Sequence, residues 1–274
     1  MNGANNSANI LLRIIEKRRE SVAHRKRVLP LVALKIAAEK KAPAARNFSS
    51  AIAANRVNVI AELKKSSPSR GVIREQFEPA KLAAELAEAG AAALSVLTEE
   101  DFFDGSLTYL KQARAAAEVP VLRKDFIFDP WQIWETRAAG ADSFLLITAV
   151  LEQDLLQELL ELGRHLGMEA LVEVHTREEL ARALGAGARI VGVNARDLTT
   201  FNVNLDLALE LADEIPDSCV AVAESGIHSH EDLMRLSEAG FDAFLIGEQL
   251  MKHAQPGDEL RRLLGVAEAK TARP

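Results

Sequence analysis

Beyond residue 50 the chain alternates short, almost wholly apolar runs with longer stretches of helical spacing. Five of the runs, VNVIAELK, VPVLRKD, MEALVEV, RIVGVN and CVAVAES, finish on charged or amide residues: Glu62 and Lys64, Lys124, Glu173, Asn194 and Glu224. Residues two apart in a strand share a face, so Glu62 goes with Lys64, Leu122 with Lys124, Leu171 with Glu173, and Val222 with Glu224. If these strands lie parallel, that parity brings two ammonium groups and three carboxylates to one cavity. Any single one would serve equally well as a salt-bridged cap on a strand end. Repetition over five strands argues for a site.

The spacing of the runs predicts the fold. The phrases EAGAAALSVL, AAGADSFLLI, GAGARIVGV and EAGFDAFLIG share a helix end, a glycine and an apolar strand, with Gly90, Gly140, Gly187 and Gly240 at steps of 50, 47 and 53 residues. The strands ending at Lys124, Glu173 and Glu224 fall between them, so a strand-helix unit recurs about every 25 residues, and the strand ending at Glu62 completes eight. Asp129 before Pro130 reads as an N-cap with proline in the first turn, and Thr176 with Glu179 and Ser229 with Asp232 have capping-box spacing. Eight strands each followed by a helix predict an α/β fold, a closed (β/α)8 TIM barrel, whose catalytic groups gather at the C-terminal strand ends. Those are the ends that carry the polar residues. The alternative, an open doubly wound sheet, would be expected to carry a GxGxxG fingerprint, which this sequence lacks.

The N-terminal segment is of a different kind. From about Asn9 to Lys41 its apolar residues, among them Ile10, Ile14, Leu29, Val32 and Ile36, have helical spacing interrupted near Pro30. Residues 1–50 hold 11 Lys and Arg against 3 Glu, a balance of +8, which leaves −15 of the net −7 on the rest of the chain. We therefore divide the chain into a basic helical extension, 1–48, packed on a barrel, 49–274. Near the mouth of the barrel its cations would attract an anionic substrate. With 274 residues and 48% hydrophobic content, a large core is available. The single cysteine, Cys219, allows no internal disulfide and is expected as a buried strand residue of a cytoplasmic protein. The opening residues lack the pattern of a signal peptide, and no run approaches the ~20 apolar residues of a membrane span, so no membrane partner is expected. The net charge of −7 argues against nucleic acid.

A second constellation suits a phosphate. The seventh strand leads into Glu224-Ser225-Gly226 and the eighth into Gly247-Glu248, which puts small residues with accessible backbone N–H groups on adjacent strand ends. Loops after the last two strands of such a barrel commonly hold a phosphate. Lys64 and Ser67 from the first loop offer a cation and a hydroxyl. The pair His228 and His230 lacks the cysteines or carboxylates of a metal site, and Ser229 between them is accounted for as a helix cap. The six histidines show no catalytic spacing. Asp125 is expected either to hold Lys124 in place or to cap the strand end.

The ordered set IAELKKSSPSRG, LSVLTEEDFFDGSLTYL, VLRKDFIFDPWQI, LVEVHT, VGVNARDL, VAESGI and FLIGEQLM resembles the indole-3-glycerol phosphate synthases, a family of tryptophan biosynthesis. The likeness runs from the basic N-terminal helix to the last strand. It implies a phosphorylated small-molecule substrate, a carboxyphenylamino-deoxyribulose 5-phosphate, and the products indole-3-glycerol phosphate, carbon dioxide and water. Neither a metal nor an organic cofactor is implied. The ring-closing chemistry requires an acid on the C2 carbonyl oxygen, for which we choose Lys124. By resemblance, Lys64 serves in dehydration as acid or electrostatic partner, Glu173 assists proton transfer or stabilises positive charge, Glu62 is a candidate base, and Asn194 and Glu224 orient hydroxyls and lysines. Arg196 is placed for a carboxylate or an ordering ion pair. Pro68, Phe103, Phe126 and Leu198 are candidates for an apolar slot around the aromatic half. Two positions depart from common family usage: Trp131 and Trp134 replace tyrosines on the outer face of the third helix, and Glu248 stands where some members have serine, leaving a backbone contact to phosphate. Two rivals are a different phosphosugar barrel, such as phosphoribosylanthranilate isomerase, and a noncatalytic phosphate-binding scaffold. The first would lack the Glu62, Lys64, Lys124 and Glu173 set, and the second would have lost a lysine. The protein is expected to be a monomer or weak homo-oligomer.

Overall fold

The computed structural model describes residues 4–54, 57–196 and 204–266. Among these residues eight parallel strands close into a barrel: β1 (Asn58–Leu63), β4 (Ala93–Leu97), β5 (Val121–Lys124), β6 (Ser143–Ile147), β7 (Glu169–Val174), β8 (Ile190–Asn194), β9 (Val220–Glu224) and β10 (Ala243–Ile246). Their order around the barrel is β1-β10-β9-β8-β7-β6-β5-β4, so each strand neighbours the next in sequence and β1 closes on β10. A short antiparallel pair, β2 (Ser66–Ser67) and β3 (Gly71–Val72), shapes the loop after β1. The helices between strands are α4 (Pro79–Glu88), α5 (Leu107–Ala116), α6 (Pro130–Ala138), α7 (Gln153–His165), α8 (Arg177–Gly185), α9 (Leu205–Ala212) and α10 (His230–Glu238). Three helices precede the barrel, α1 (Ala4–Val28), α2 (Leu31–Lys40) and α3 (Phe48–Ile52), and α11 (Glu248–Met251) and α12 (Pro256–Leu263) follow it.

Strand alternation builds two cores. Ile60, Leu122, Leu145, Leu171, Ile190, Val222 and Leu245 point inward and pack together with Phe48 and Ile52 of α3. The intervening residues, such as Val59, Val96, Val172 and Ala223, face the helices. One step beyond the inner layer along the strands come Glu62, Lys124, Glu173, Gly192 and Glu224. The predicted parity therefore delivers the polar residues to the C-terminal mouth. The register agrees: Glu173 lies opposite Gly192 and Asn194 opposite Glu224.

The sequence repeat also has a physical meaning. Its glycines reverse the chain in the left-handed region, as at Gly140 with φ 87° and Gly240 with φ 99°. After these two, an aspartate two residues on ties the new strand to the one before it: Val121 N–H donates to Asp142 at 2.8 Å, and Ala221 N–H to Asp242 at 2.8 Å. The caps are as the spacing predicts. Asp129 accepts from Trp131 N–H, Thr176 from Glu179 N–H, and Ser229 and Asp232 form a reciprocal box. Cys219 departs from expectation: it is half-buried, just ahead of β9, with its Sγ 3.5 Å from Ala188 O.

The N-terminal helices lie on α6 and on the end of β5. Ile14 is buried, but Val32 and Ile36 are exposed, and the face of the pair that packs carries Val22, Leu34 and Ala38. These meet Trp131 and Trp134, which are buried here rather than on an outer face because α1 and α2 cover α6. The Trp131 indole N–H donates to Leu29 O at 3.1 Å. Several of the segment's cations are engaged by the barrel: Arg25 with Glu135, Lys26 with Asp129, and Lys35 over the Trp134 ring. Arg18 goes deepest. Fully buried, it donates to Asp125 Oδ2 at 2.5 Å, an oxygen that also accepts from Thr98 Oγ1 at 2.6 Å and Arg123 Nη2 at 2.9 Å. Asp125 thus anchors α1 rather than holding Lys124. Burial opposes its carboxylate, but Arg18 and Arg123 outweigh that and hold it below its ordinary range.

Removing Arg18 takes from the buried Asp125 one of its two guanidinium partners and leaves Arg123 and Thr98 to hold the carboxylate. The Arg18→Met substitution is expected to lower unfolding stability by about 1–3 kcal/mol, less than an unpaired buried charge would cost. Urea denaturation checks this, and a loss below about 1 kcal/mol would show that the buried pair is not what anchors the helix.

Candidate active site

At the C-terminal mouth the strand ends and loops enclose a cavity of about 440 Å³. Every candidate residue except Leu198 lines it, and Leu198 lies outside the described residues. Within the cavity the polar strand ends form two groups. Lys64 Nζ, from the loop just past β1, lies 2.9 Å from Glu62 Oε1, an i,i+2 contact that strand parity makes possible. Across the mouth, Lys124 Nζ stands between two carboxylates, 2.9 Å from Glu173 Oε2 and 3.2 Å from Glu224 Oε2. Asn194 Nδ2 donates to Glu173 Oε1 at 3.2 Å, and its own carbonyl accepts from Arg196 N–H at 3.0 Å, which fixes the turn that brings Arg196 to the rim.

Their electrostatics are unequal. Burial alone would push the Lys124 ammonium toward neutrality, but Glu173, Glu224 and Glu62 overturn this and hold it charged, above its ordinary value. Burial likewise opposes both carboxylates, and their neighbours separate them. Lys124 and His175 hold Glu173 well below its ordinary value. At Glu224 burial dominates; Lys124 opposes it, the Glu173 charge adds to it, and the carboxyl is pushed up to about 8. One ammonium thus serves two carboxyls, one firmly ionised and one that titrates near neutrality.

Two glycines make room for these carboxylates. A Cβ at Gly192 would lie 2.2 Å from Glu224 Oε1, and one at Gly247 would lie 2.3 Å from Glu62 Oε1. Gly247 therefore does more than form part of the expected phosphate cradle. In the rest of that cradle the backbone turns sharply, with Ser225 at φ 69° and Gly226 at φ 78°. The Glu248 carboxylate pairs with Arg70 at 3.2 Å, so its charge at the cradle is offset from the loop after β1. Ser67 and Pro68 enter from that loop.

The apolar side is larger than the sequence indicated. The Phe103 and Phe126 rings lie 6.1 Å apart. Phe103 is set by Glu99, whose carboxylate accepts from the N–H groups of Asp101, Phe102 and Phe103. Leu145 and Ile147 of β6 and Ile10, Leu11 and Ile14 of α1 join them. β6 ends without a polar residue, so only strand parity would have revealed its two. The N-terminal helix reaches the mouth through its apolar face, not through its cations. His175 was also missed: it follows Glu173 at the same parity, with Nε2 3.3 Å from Glu173 Oε1. His228 lies at the edge of the cavity facing Gln249 at 3.4 Å, and His230 turns away, with Nδ1 2.8 Å from Leu263 O.

A closed (β/α)8 barrel whose mouth gathers two lysines, three glutamates and an aromatic slot is the scaffold of a small-molecule enzyme. Solved structures of similar fold include a 3-hexulose-6-phosphate synthase, with a TM-score of 0.61 and 14% identity over 77% of this chain and 99% of that one. A thiamine phosphate pyrophosphorylase from Pyrococcus furiosus has a TM-score of 0.60 and 16% identity over 80% and 97%. Identities this low speak to the fold alone. The family is given by sequence: the indole-3-glycerol phosphate synthase model matches residues 11–263, and the chain belongs to that family. The indole-3-glycerol phosphate synthase of Carboxydothermus hydrogenoformans is 47% identical over 93% of this chain and 99% of its own length. That of Burkholderia lata is 48% identical over 93% and 99%.

The atoms that a Gly192 Cβ would meet are side-chain ends, Glu224 Oε1 and, at 3.1 Å, Leu171 Cδ1, so Gly192→Ala is expected to fold with a modest loss of stability while displacing the Glu224 carboxylate from Lys124. Turnover should drop by about a hundredfold, the scale of a misplacement of about 1 Å. Wild-type kcat in this variant would show that the close approach has no bearing on the reaction.

Proposed function

We propose that this chain is an indole-3-glycerol phosphate synthase, a carboxy-lyase that closes and decarboxylates 1-(2-carboxyphenylamino)-1-deoxyribulose 5-phosphate to indole-3-glycerol phosphate, carbon dioxide and water. The observation that carries the assignment of roles is Lys124, an ammonium kept charged among three carboxylates at the floor of a cavity with one aromatic wall. The ring carbon of the anthranilate half attacks the C2 carbonyl, and Lys124 donates a proton to that oxygen as the bond forms. Carbon dioxide then leaves from the ring carbon, and the new hydroxyl leaves as water with a proton from an acid, the part given to Lys64. Glu62 takes a proton from C1, the methylene carbon between the nitrogen and C2, so that loss of the hydroxyl completes the new double bond, and Glu173 supports the positive charge that develops. Asn194 and Glu224 orient the substrate hydroxyls and Lys124. Arg196 faces the substrate carboxylate.

The phosphate is placed at Ser225, Gly226, Gly247 and Glu248, held through backbone N–H groups, with Ser67 beside it. Pro68, Phe103, Phe126 and Leu198 enclose the aromatic half. Both lysines and Glu173 are present in the cavity, which favours this reading over another phosphosugar enzyme or an inert scaffold. We further place the protein in the cytoplasm, as a monomer or weak homo-oligomer, with 1–48 as an extension of the 49–274 barrel.

Purified protein given the carboxyphenylamino-deoxyribulose phosphate should produce indole absorbance, and an inactive wild type would defeat this reading. Lys124→Met is expected to lower kcat by about 10²–10⁴-fold with KM within about tenfold, because proton donation is made in the transition state. A variant that keeps a tenth of wild-type kcat would remove Lys124 from the acid role.

A pH dependence follows from Glu224. Above about pH 8 its carboxyl ionises and adds a second negative charge to Lys124, which makes the ammonium a poorer donor and repels an anionic substrate. The kcat/KM of the wild type should fall above about pH 8, and Glu224→Gln should remove that basic limb even as it lowers the rate. An unchanged limb in the variant would assign it to another group.

A further inference from the structure

His175 has no part in the steps above, yet it is the nearest cation to the far side of Glu173. It follows β7 at the same parity as Glu173, and its side chain is largely buried, 11% exposed. Its ring lies between two carboxylates. Nε2 is 3.3 Å from Glu173 Oε1 and Nδ1 is 3.3 Å from Glu179 Oε2, and Glu179 also accepts from the His175 backbone N–H at 2.7 Å. Thr176, which caps α8, holds the first turn of that helix and so places Glu179. A chain of alternating charge results: Glu179, His175, Glu173 and Lys124.

We propose that His175 is a positioning residue for the reaction, a cation that keeps Glu173 ionised and turned so that its other oxygen meets Lys124. This deepens the ring-closure reading and rests on it. Glu173 Oε2 is taken by Lys124, and Oε1 faces His175 together with the weaker donor Asn194. The Nε2 contact to Oε1 has ion-pair length without the alignment of a hydrogen bond, so the ring acts there through its charge. Burial disfavours the imidazolium, but Glu173 and Glu179 outweigh it and raise His175 to about 10. The groups around the ring come from every neighbouring element: Glu173 on its own strand, Glu179 on α8, Asn194 on β8, and, behind Glu173, Lys124 on β5 and Glu224 on β9. Without the ring charge, burial would draw Glu173 back toward the neutral acid, with Lys124 alone to oppose it. A neutral Glu173 would loosen its hold on Lys124.

Loss of the cation raises the Glu173 pKa, so the acid limb of kcat must move to higher pH, by roughly one pH unit or more for one nearby charge. On the acid side of both limbs, a limb displaced by one pH unit means a tenfold lower kcat, and the deficit closes as pH rises. The test compares His175→Leu with His175→Gln, which keeps a polar donor of similar size but not the charge. Both are expected to show the displaced limb, with KM within about threefold of wild type. Glu179→Gln leaves the ring protonated throughout the acid limb and should leave that limb where it is in the wild type, which separates loss of the charge from a mere change of surroundings.

In the wild-type protein the His175 ring resonances, identified by their loss in His175→Gln, should remain those of imidazolium at pH 8, where an ordinary histidine with pKa about 6.5 is neutral. A neutral ring at pH 8 overturns the proposal. So does an unchanged acid limb in His175→Gln, or a uniform loss of kcat at every pH, which would mark a merely structural residue. Should His175→Leu fail to fold, His175→Gln and the ring resonances still decide. An inactive wild type would sink the ring-closure reading, whereas an active wild type whose His175 variants keep its pH profile would sink this one alone.

Discussion

At the end of β5 the alternation of a strand sends one cation inward and a cation with its carboxylate outward. Lys124 points into the cavity, while Arg123 and Asp125 point outward among the helices. Asp125 binds Arg18, Arg123 and Thr98 through one oxygen, and through the other it accepts from Phe126 N–H at 2.8 Å. A single buried carboxylate therefore fixes the strand end that bears the reactive ammonium, the ring at the edge of the slot, and the helix that covers it. Such a network need not add net stability over a well-packed apolar one. What it contributes is geometry, because no apolar contact would define the direction of Phe126 N–H and the depth of α1 together. The apolar side chains that α1 lends to the mouth, Ile10, Leu11 and Ile14, are held through that same ion pair.

The inner face follows a different logic, in which groups of one chemical kind are driven apart by their neighbours. Glu173 and Glu224 both touch Lys124, and both are nearly excluded from solvent. Glu173 has a second cation at hand and Glu224 does not; one Glu224 oxygen is buried without a hydrogen-bond partner against Gly192. The carboxyl that lacks support is the one burial can protonate. An acid and a base strength thus arise from two identical side chains, set by what stands behind each.

Much of this could be read from the sequence, and the reason is parity. Because side chains alternate strictly along a strand, Glu62, Lys64, Lys124, Glu173 and Glu224 could be assigned to one face before any coordinate was known. The repeat of glycine and apolar run gave the number of strands, and closure then followed from the architecture. Contacts between distant parts of the chain were not legible. Nothing local distinguishes Arg18 from Arg13 or Arg19, yet only the first reaches Asp125, 107 residues away. Trp131 and Trp134 could be assigned to α6 but not to the covered side of it, because their cover comes from α2. Leu145 and Ile147 carried no chemical signal. His175 did carry one, in its parity with Glu173, but histidine was sought by spacing to other histidines rather than by the strand it extends.

The basic N-terminal segment shows how charge in a sequence can mislead about range. A balance of +8 on one end and −15 on the rest suggests a field that draws an anionic substrate to the mouth. In the fold, however, Arg18, Arg25 and Lys26 are within ion-pair distance of Asp125, Glu135 and Asp129. A pair held at 2.5–2.7 Å has a field that falls off as a dipole's, and salt at physiological strength screens what remains beyond about 8 Å. Part of the charge asymmetry is thus cancelled where the two halves meet, at the pairs that dock the helix. The cations that line the cavity itself, Lys64, Arg70, Lys124 and Arg196, are the ones a phosphorylated carboxylate meets directly. Lys64 and Lys124 are themselves set against carboxylates, so a substrate anion gains from them only by displacing or sharing those partners. That competition favours a ligand with two anionic ends and an apolar middle over a simple phosphate, since each end can engage a different cation while the ring fills the slot between them.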